Sequence, residues 1–372
     1  MKKITLLFTF FSFTLLHAQI PTGYYDQATG SGYELKNNLS TIITSNYNQK
    51  TYNDLWTLYG NNAFKDQWYE NDMTIMDIYS ENPSGSDPYN FTYNTDKCGS
   101  YRVEGDCYNR EHIIAQSFFN EALPMKSDAH HIFPTDGKVN GERGNLPFGE
   151  VLTANYSSRN GTKRGSNKTS DLSSFTGIVF EPINEFKGDV ARAFFYFATR
   201  YQNQIPTFKN NYSNSQVSVM FDGSTTQTLD SNFLKTLIKW HIQDPVSSKE
   251  IAQNNAIYDH QRNRNPYIDT PDYVRQVWTA AYEAVQETLE TAAFELETLS
   301  IYPNPTTTGY INISNASPIN HIDIYAVNGQ WIASYEMNEN QITLDVTKLN
   351  AGFYILVIEG PHAKTMKKFI KN

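Results

Sequence analysis

Cysteine is scarce in this sequence of 372 residues, which contains only Cys98 and Cys107. A structural zinc site takes four ligands of the cysteine and histidine type, so this pair cannot form one without two further soft ligands. In an oxidising compartment, two cysteines this close together usually form a disulfide. The sequence therefore predicts a Cys98–Cys107 disulfide that closes a short loop, and a cysteine-based metal site is the weaker alternative.

Long apolar runs are also lacking. The run at 4–16 follows Lys2 and Lys3 and is followed by the small residue Ala18. It is too short to cross a bilayer, and this order of charged, apolar and small residues is typical of an export signal. We therefore predict a signal peptide at 1–18 and a soluble mature protein. No later segment is long and apolar enough to predict a transmembrane helix.

Positive charge is in short supply, with 30 Lys and Arg against 39 Asp and Glu and a formal net charge of −9. This balance argues against nucleic-acid binding through overall charge, but binding at a cleft depends on the local field. Arg159, Lys163, Arg164 and Lys168 lie in a stretch rich in Ser, Asn and Gly. A phosphate-facing arm and a solvated loop are equally consistent with this stretch.

Residues with catalytic chemistry are concentrated in two segments, YNREHIIAQSFF at 108–119 and DAHHIFPTDGKVNGERGN at 128–145. Attack of water on a phosphodiester uses a neutral imidazole to accept a proton, hard oxygen ligands for a divalent cation, and a positive charge beside the phosphate. The segments contain all three kinds of group: Glu111, His112, Asp128, His130, His131, Asp136, Asn140, Arg143 and Asn145. They predict a site for phosphodiester hydrolysis.

The same region favours the order strand, loop, strand, helix. Residues around Glu111 are predicted to be extended, 132–134 forms a second strand, and a short helix follows Asn140. Adjacent side chains of a regular strand point to opposite faces, so Glu111 and His112 both face one site only if the strand is bulged or ends there. Apolar spacing predicts a helical stretch at 33–59 and a helix at 189–202, and the second has a core face.

Seven segments resemble, in the same order, the sequence blocks of the endonuclease I family of secreted ββα-metal nucleases. The resemblance covers about 21–282, with one departure at Ala115, where such proteins usually carry proline. It implies an α+β fold in which a mainly helical nuclease domain, 19–290, surrounds a ββα-metal catalytic core. The segments are GYYDQATG, DLWTLY, DIYSENPSG, KCGSYRVEGDCYNREH, FPTDGKVNGERGNLPFGEV, DVARAFFYFATRY and RNRNPYID.

The resemblance also implies roles for single residues. His112 is expected to be the general base, with one ring nitrogen held by a backbone carbonyl and the other facing water. Glu111 and Asn140 are expected to hold Mg²⁺, with Mn²⁺ or Ca²⁺ as alternatives, because both are hard oxygen donors. Asp128, His131 and Asn145 are expected to support these groups.

Three arginines have alternative interpretations. Arg143 is expected to contact the phosphate or to form a salt bridge with Glu142 or Glu150. Arg192 matches the family arginine of its helix and is expected either to support the active site or to form a structural ion pair. Arg264 lies in a turn that the resemblance places near the cleft, and the alternative is a turn that only starts a helix.

The C-terminal part has a different composition. Glutamates without any Lys or Arg between 283 and 297 predict an acidic linker at 291–298. IYPNPTTTGYINI, HIDIYAVNGQWIA, ITLDVTKLNAGFYILVI and KKFIKN then resemble the type A sorting domain of the type IX secretion system. Alternating apolar residues and the Asn328-Gly329 turn predict a small all-β sandwich at 299–372. An accessory carbohydrate-binding or adhesion module is the alternative.

Together these observations predict a secreted or cell-surface, metal-dependent, nonspecific endonuclease with 5′-phosphate products. The chain would pass the periplasm and the outer membrane with the type IX machinery and act as a monomer. Its substrate is DNA, and RNA as well, because the 2′ hydroxyl has no part in the reaction. A metallopeptidase is disfavoured because no HExxH motif is present. The main alternative is an inactive surface or matrix protein that binds nucleic acid on the same fold.

Overall fold

A computed structural model describes residues 20–170, 173–360 and 362–372. The predicted signal peptide at 1–18 lies outside the described residues. The chain divides into two compact units, one made of the chain up to Lys168 and Thr176–Val277, the other of Thr169–Phe175 and Trp278–Asn372. Within the described ranges, no helix combines the length and the apolar character needed to cross a membrane.

The first unit begins with helix α1, Gly32–Thr44, and the short helix α2, Asp54–Leu58. The apolar positions of α1, among them Leu35, Leu39 and Ile43, recur at helical spacing and are fully buried. The predicted helical stretch of 33–59 is therefore confirmed as two helices with a break between them. Burial of this apolar face, more than intrinsic helix propensity, holds such short helices in place.

The ββα core follows. Strand β1, Tyr108–His112, pairs antiparallel with β2, Ile132–Asp136, so that His112 lies opposite Ile132. Helix α3, Gly137–Arg143, starts directly after β2, and the Asp136 carboxylate caps it by accepting from the Val139 amide at 2.8 Å. The predicted order of elements is confirmed. The helix begins before Asn140 and includes it, whereas the sequence predicted a helix only after Asn140.

A three-stranded sheet corrects the expectation of a basic loop. Strands β3, Val151–Ser157, and β4, Lys163–Asn167, form a hairpin, and β4 pairs with β5, Ile178–Glu181. The turn-forming residues of the stretch, which suggested a loop, occupy the connection of this hairpin. Arg164 lies in β4 and makes an ion pair with Glu142 of α3, so its charge is already balanced within the protein.

The remaining helices enclose a long central one, α4 at Lys187–Arg200, whose fourteen residues are all buried. The predicted core face of this helix is therefore confirmed. Its charged residues are buried too, and each forms an ion pair with a residue of another element, as buried charges require. The others are α5 Ile205–Asn211, α6 Ser231–Gln243, α7 Ser248–Gln261, α8 Pro266–Asp269 and α9 Tyr273–Val277.

The predicted linker is helical in the structure. Helix α10 spans Thr279–Thr298 and includes all of 291–298, and the boundary between the compact units lies at Val277, not at residue 290. The stretch is rich in Ala, Glu and Leu, which are strong helix formers. Leu296, at its end, packs into the core of the second unit. The acidic composition suggested an open connector, but propensity and this anchor favour the helix.

After α10, the second unit consists of β-strands. Strand β7, Tyr310–Ala326, pairs with β6, Ser300–Tyr302, with β8, Trp331–Asp345, and with β9, Gly352–Glu359, and β9 also pairs with β10, Lys364–Lys371. Bulges interrupt the β7–β8 register and bend the long strands. Alternate residues such as Ile313, Ile322 and Leu356 form one apolar core. The predicted β-sandwich and its Asn328-Gly329 turn are confirmed; Gly329 has φ +85°.

The predicted disulfide between Cys98 and Cys107 is present. Tyr101, inside the loop it closes, packs against α3, where a Cβ on Gly141 would overlap the tyrosine hydroxyl. A Cβ on Gly137 would lie 2.6 Å from the same ring. Glycines at both positions thus let the disulfide loop approach the helix that follows β2.

The disulfide predicts a stability effect. Replacing both Cys98 and Cys107 by serine frees a short loop in the unfolded chain, so the free energy of unfolding should fall by roughly 2–3 kcal/mol by the loop-entropy model. Urea denaturation of the oxidised protein and of this variant measures the difference. Reduction of the native protein is the matched control and should give the same loss. Equal stability in all three samples would contradict the prediction.

Candidate active site

A cleft of about 330 Å³ is lined by residues of β1, α3 and the disulfide loop, together with Tyr52 and Trp56. Five residues predicted for the site line this cleft: Glu111, His112, Asn140, Arg143 and Asn145. Glu111 and Asn145 are 34 positions apart, yet both line the cleft. They meet because β1 pairs with β2 and α3 follows β2 directly.

Glu111 and His112 both reach the cleft because β1 ends at His112. The β1–β2 register runs without a bulge up to His112, which is the last paired position of the strand. This resolves the alternative left open by the sequence in favour of a strand that ends at the site. Both residues are almost completely buried, with 2% and 4% of their surface exposed.

The Glu111 carboxylate has two neighbours on one oxygen. The hydroxyl of Tyr79 donates to Oε1 at 2.9 Å, and Nη1 of Arg143 lies 3.5 Å from the same atom. Burial raises the pKa of Glu111 to about 7, although Arg143 and Tyr79 act to lower it. The second oxygen, Oε2, is therefore the one left for another ligand.

The His112 ring is held by the backbone. Its Nε2 lies 3.1 Å from the carbonyl oxygen of Lys126, which confirms the expected contact with a backbone carbonyl. A carbonyl only accepts hydrogen bonds, so Nε2 carries the hydrogen and Nδ1 keeps the lone pair of the neutral ring. Burial, then the nearby His131, hold the pKa of His112 well below its ordinary value, so the ring is neutral at physiological pH.

Asn140 lies in the middle of α3 and faces Asn109 of β1. The amide nitrogen of Asn140 donates to Asn109 Oδ1 at 2.7 Å. Its amide oxygen is consequently the group left for a ligand in the cleft. Asn109 also lines the cleft, and sequence reasoning did not select it, although it lies only two residues before Glu111.

Arg143 makes hydrogen bonds within the protein that the sequence did not predict. Its Nη1 donates to the His112 carbonyl at 2.9 Å, and its Nη2 donates to the Ile113 carbonyl at 2.5 Å. The salt-bridge alternatives are wrong: Glu142 pairs with Lys138 and Arg164, and Glu150 pairs with Lys239. Arg143 instead lies beside Glu111 and ties the end of β1 to α3.

Asp128 and His131 lie behind the cleft, outside its lining. Asp128 Oδ2 accepts from the hydroxyls of Tyr196 and Tyr201 and from Arg200. Burial alone raises the pKa of Asp128, but Arg200 and the neighbouring histidines reverse this and lower it below its ordinary range. His131 Nε2 lies 2.9 Å from the Met125 carbonyl, and its ring packs edge-on against His112 at 5.8 Å between centroids.

This buried network holds the segment that orients His112. Met125 and Lys126 precede Asp128 in the chain, and their carbonyls are the partners of His131 and His112 respectively. Burial lowers the pKa of His131 to about 4, so it too is neutral. The placement is consistent with the supporting roles expected of Asp128 and His131.

Arg192 and Arg264 are not among the cleft residues. Arg192 is fully buried and donates to both carboxylate oxygens of Glu250, at 2.5 and 2.8 Å. Arg264 makes the same two-point contact with Asp269 next to α8, at 2.6 and 2.7 Å. Both arginines thus form structural ion pairs outside the cleft lining, and their support of the site stays a prediction.

The sequence did not predict that the positively charged side chain of Arg110 lines the cleft. The Arg110 guanidinium carbon lies 3.4 Å from the ring centroid of Tyr52 and 4.3 Å from that of Trp56. Its Nη1 donates to the Tyr52 carbonyl at 2.6 Å. Arg110 is adjacent to the predicted pair of site residues, so its position was a usable signal. Tyr52 and Trp56 lie more than 50 positions upstream of it and gave none.

Comparison with known proteins gives two family matches along the chain. Residues 31–272 match the Endonuclease I family, and 300–372 match the secretion system C-terminal sorting domain. The first match covers well over half of the chain. The second agrees with the β-sandwich and with the predicted sorting domain.

Several curated relatives carry nuclease names. An extracellular ribonuclease of Bacillus amyloliquefaciens is 33% identical over 263 residues, which are 68% of this chain and 78% of the relative. The extracellular ribonuclease of Bacillus subtilis (strain 168) is 32% identical over the same shares. Endonuclease-1 of Buchnera aphidicola subsp. Baizongia pistaciae is 23% identical, over 39% of this chain and 46% of its own.

Fold, cleft and family matches agree. The ββα core places an acidic residue, a neutral histidine and an asparagine in one cleft, and the C-terminal unit coincides with a type IX sorting domain. The chain therefore belongs to the endonuclease I family and is a nuclease that is exported to the cell surface or the medium.

Proposed function

We propose that the protein is a metal-dependent, nonspecific endonuclease that hydrolyses phosphodiester bonds of DNA and RNA with His112 as its general base. The observation that carries this proposal is the meeting of His112, Glu111, Asn140 and Arg110 in one cleft. These are a proton acceptor, two oxygen donors and a positive charge. Hydrolysis of a phosphodiester by an activated water uses the same groups.

His112 accepts the proton of the attacking water at Nδ1. The Lys126 carbonyl fixes the hydrogen on Nε2, so Nδ1 has its lone pair available before the substrate arrives. The low pKa of His112 keeps this nitrogen unprotonated at neutral pH. Asp128 and His131 act as positioning residues, because they hold the segment that contains the Lys126 carbonyl.

Glu111 and Asn140 fit a divalent cation such as Mg²⁺, with Mn²⁺ and Ca²⁺ as alternatives. Tyr79 and Arg143 both engage Glu111 Oε1, which leaves Oε2 as a hard oxygen donor. The Asn109 contact likewise leaves the amide oxygen of Asn140. A bound cation supplies charge neutralisation at the phosphate and the departing oxygen. A donor set of oxygens without cysteine suits Mg²⁺ better than a soft metal.

Arg110 is the arginine that we assign to the substrate phosphate, in place of Arg143. The guanidinium of Arg143 is engaged by the carbonyls of His112 and Ile113 and lies beside Glu111. Arg110 has a single hydrogen bond, from Nη1, among the described contacts, and it is half-exposed in the cleft. The Tyr52 and Trp56 rings hold its plane and leave its other N–H groups for an anion.

The reaction forms a bond between the water oxygen and phosphorus and breaks the bond from phosphorus to the 3′ oxygen. One water proton goes to His112 Nδ1, and the 3′ oxygen leaves and is protonated, which gives 5′-phosphate and 3′-hydroxyl ends. No 2′ hydroxyl takes part, so DNA and RNA are both substrates. The relatives named extracellular ribonucleases support the inclusion of RNA.

An inactive protein that binds nucleic acid on the same fold is the second candidate. The acidic net charge and the sorting domain are its support. A plasmid-nicking assay with the full-length mature protein, with and without EDTA, separates the two candidates. Nicking that stops with EDTA and returns with Mg²⁺ is expected, whereas binding without any nicking would establish the inactive protein.

The first functional prediction concerns the proton acceptor. His112→Ala should reduce cleavage by a factor of about 10² to 10⁴, the usual cost of losing a general base, while nucleic-acid binding is retained. Initial rates of plasmid cleavage and a filter-binding assay measure the two effects. His260→Ala, in the same unit but outside the cleft, is the control. Retention of more than about a tenth of the activity would refute the assignment of His112.

The second prediction concerns the cation ligands. Glu111→Ala and Asn140→Ala should each raise the Mg²⁺ concentration for half-maximal rate by about tenfold or more, since each removes an oxygen donor. Asn140→Asp keeps a donor and should recover most of the affinity. Gln116→Ala is the control in the same cleft and should leave the Mg²⁺ midpoint unchanged. An unshifted midpoint in both ligand variants would contradict direct ligation.

The third prediction concerns the phosphate contact. Arg110→Ala should weaken nucleic-acid binding equally for all sequences and lower the slope of log affinity against log salt by about one, as expected for one lost phosphate contact. Arg110→Lys should restore the salt dependence of binding, because the charge is kept, but not the stacking on the Tyr52 and Trp56 rings. The exposed Arg102 of the disulfide loop provides the control variant, Arg102→Ala. A slope that falls equally in both alanine variants would mean that Arg110 has no specific contact.

A further inference from the structure

A second group of acidic residues lies outside the cleft. One carboxylate oxygen from each of Asp66, Glu70 and Glu81 lies within 4.8 Å of the others. Asp66 and Glu81 are buried, each with 1% of its surface exposed, and Glu70 is exposed at the mouth of the group. We infer that these three residues bind a calcium ion, separate from the cation of the proposed reaction.

The strongest evidence is a buried oxygen without a partner. Glu81 Oε1 is closed to solvent and has no hydrogen-bond partner. An unpaired carboxylate oxygen in the interior is costly, because it has lost its hydration and gained nothing in return. Its carboxylate lies against those of Asp66 and Glu70, so the group that would satisfy it is a cation among these three residues.

The charge of the group is not balanced by the protein. In the described ranges, none of the ion pairs involves Asp66, Glu70 or Glu81. Lys65 is the basic residue nearest to Asp66 in the sequence, but its ammonium nitrogen lies 4.0 Å from the centroid of the Tyr93 ring.

The Asp66 carboxylate is fixed in position by its own loop. Oδ1 accepts from the amides of Trp68 and Tyr69, both at 3.0 Å, and Oδ2 accepts from those of Glu70 and Asn71 at 3.1 and 3.0 Å. These contacts order the loop and keep one member of the group rigid. They also engage much of the hydrogen-bonding capacity of Asp66, so Glu81 and Glu70 are expected to be the stronger ligands.

Calcium fits this donor set better than the other common cations. All three donors are carboxylate oxygens, and Ca²⁺ takes six to eight such ligands at about 2.3–2.6 Å in irregular arrangements, with water completing the shell. Two ligands on opposite sides of such an ion are about 4.8 Å apart, and the three carboxylate oxygens lie within that limit of one another. Mg²⁺ demands a tighter octahedron, and zinc and copper prefer nitrogen or sulfur.

The ion would join two segments that lead to the active site. Asp66 and Glu70 belong to the loop that ends near Thr74, whereas Glu81 follows Tyr79 by two residues. The hydroxyl of Tyr79 is the donor to Glu111. Calcium would therefore stabilise the segment that positions a cleft carboxylate, without touching the substrate. An exported protein meets Ca²⁺ at concentrations for which sites of moderate affinity are sufficient.

Thermal unfolding of the full-length protein tests the inference. Glu111→Ala and Asn140→Ala are combined in the background of every sample, so that binding in the cleft does not contribute. With CaCl2 at about ten times a dissociation constant of about 1 mM, the melting temperature should rise by roughly 3 °C or more over that in EDTA. Glu81→Gln and Glu70→Gln should each abolish most of this rise.

The behaviour in EDTA distinguishes a binding site from a purely structural role. Without calcium, the three carboxylates repel one another, so Glu81→Gln and Glu70→Gln should melt at the same temperature as the parent or higher. Glu70 is exposed, so its variant folds even if the Glu81 variant does not. Asp72→Asn removes one charge from the same loop outside the group and should keep the full calcium response.

Titration calorimetry with CaCl2 gives the stoichiometry. The background protein with both cleft substitutions should bind one Ca²⁺, and addition of Glu70→Gln should weaken that binding at least about tenfold, as the loss of a charged ligand does. No calcium response in the background protein would overturn the inference, as would an undiminished response in both glutamine variants. Neither outcome bears on cleavage by the native cleft, which the plasmid assay measures independently.

Discussion

The burial of a carboxylate and an imidazole side by side at the end of β1 is the constraint on which the site depends. Glu111 and His112 are both almost completely buried, so each needs polar partners inside the protein. Tyr79 and Arg143 satisfy the first, and the Lys126 carbonyl satisfies the second. These partners come from three different segments, so the site depends on contacts from beyond β1.

The same reasoning extends to the layer behind the site. Asp128 is fully buried and receives hydrogen bonds from Tyr196, Arg200 and Tyr201. Removing one partner from such a network leaves a buried charge uncompensated, which costs about 3–5 kcal/mol. The polar interior of α4 is therefore a positioning device, because it fixes the chain just before β2. The Lys126 carbonyl, which holds His112 Nε2, belongs to this fixed segment.

The sequence was sufficient to predict the ββα order and the meeting of Glu111, His112 and Asn140. All three lie in one hairpin and its following helix, so local geometry brings them together. Tyr52, Trp56 and Tyr79 were not predicted, because their approach depends on the packing of distant segments. The partners of Arg143 and Arg192 could not be predicted either. Several acidic residues lie near each arginine in the sequence, and only the folded chain shows which groups each guanidinium contacts.

The acidic stretch before the sorting domain was misread for a related reason. Composition suggested an exposed connector, yet α10 continues through it and inserts Leu296 into the β-sandwich core. A protease binds its substrate in an extended form, and a helical backbone must unwind before it can be cut. Cleavage within 291–298 would therefore require the local loss of this helix and of its hydrophobic anchor. Separation of the nuclease from the sorting domain at this point would therefore require local unfolding of α10. The rate of such cleavage would depend on how often α10 opens.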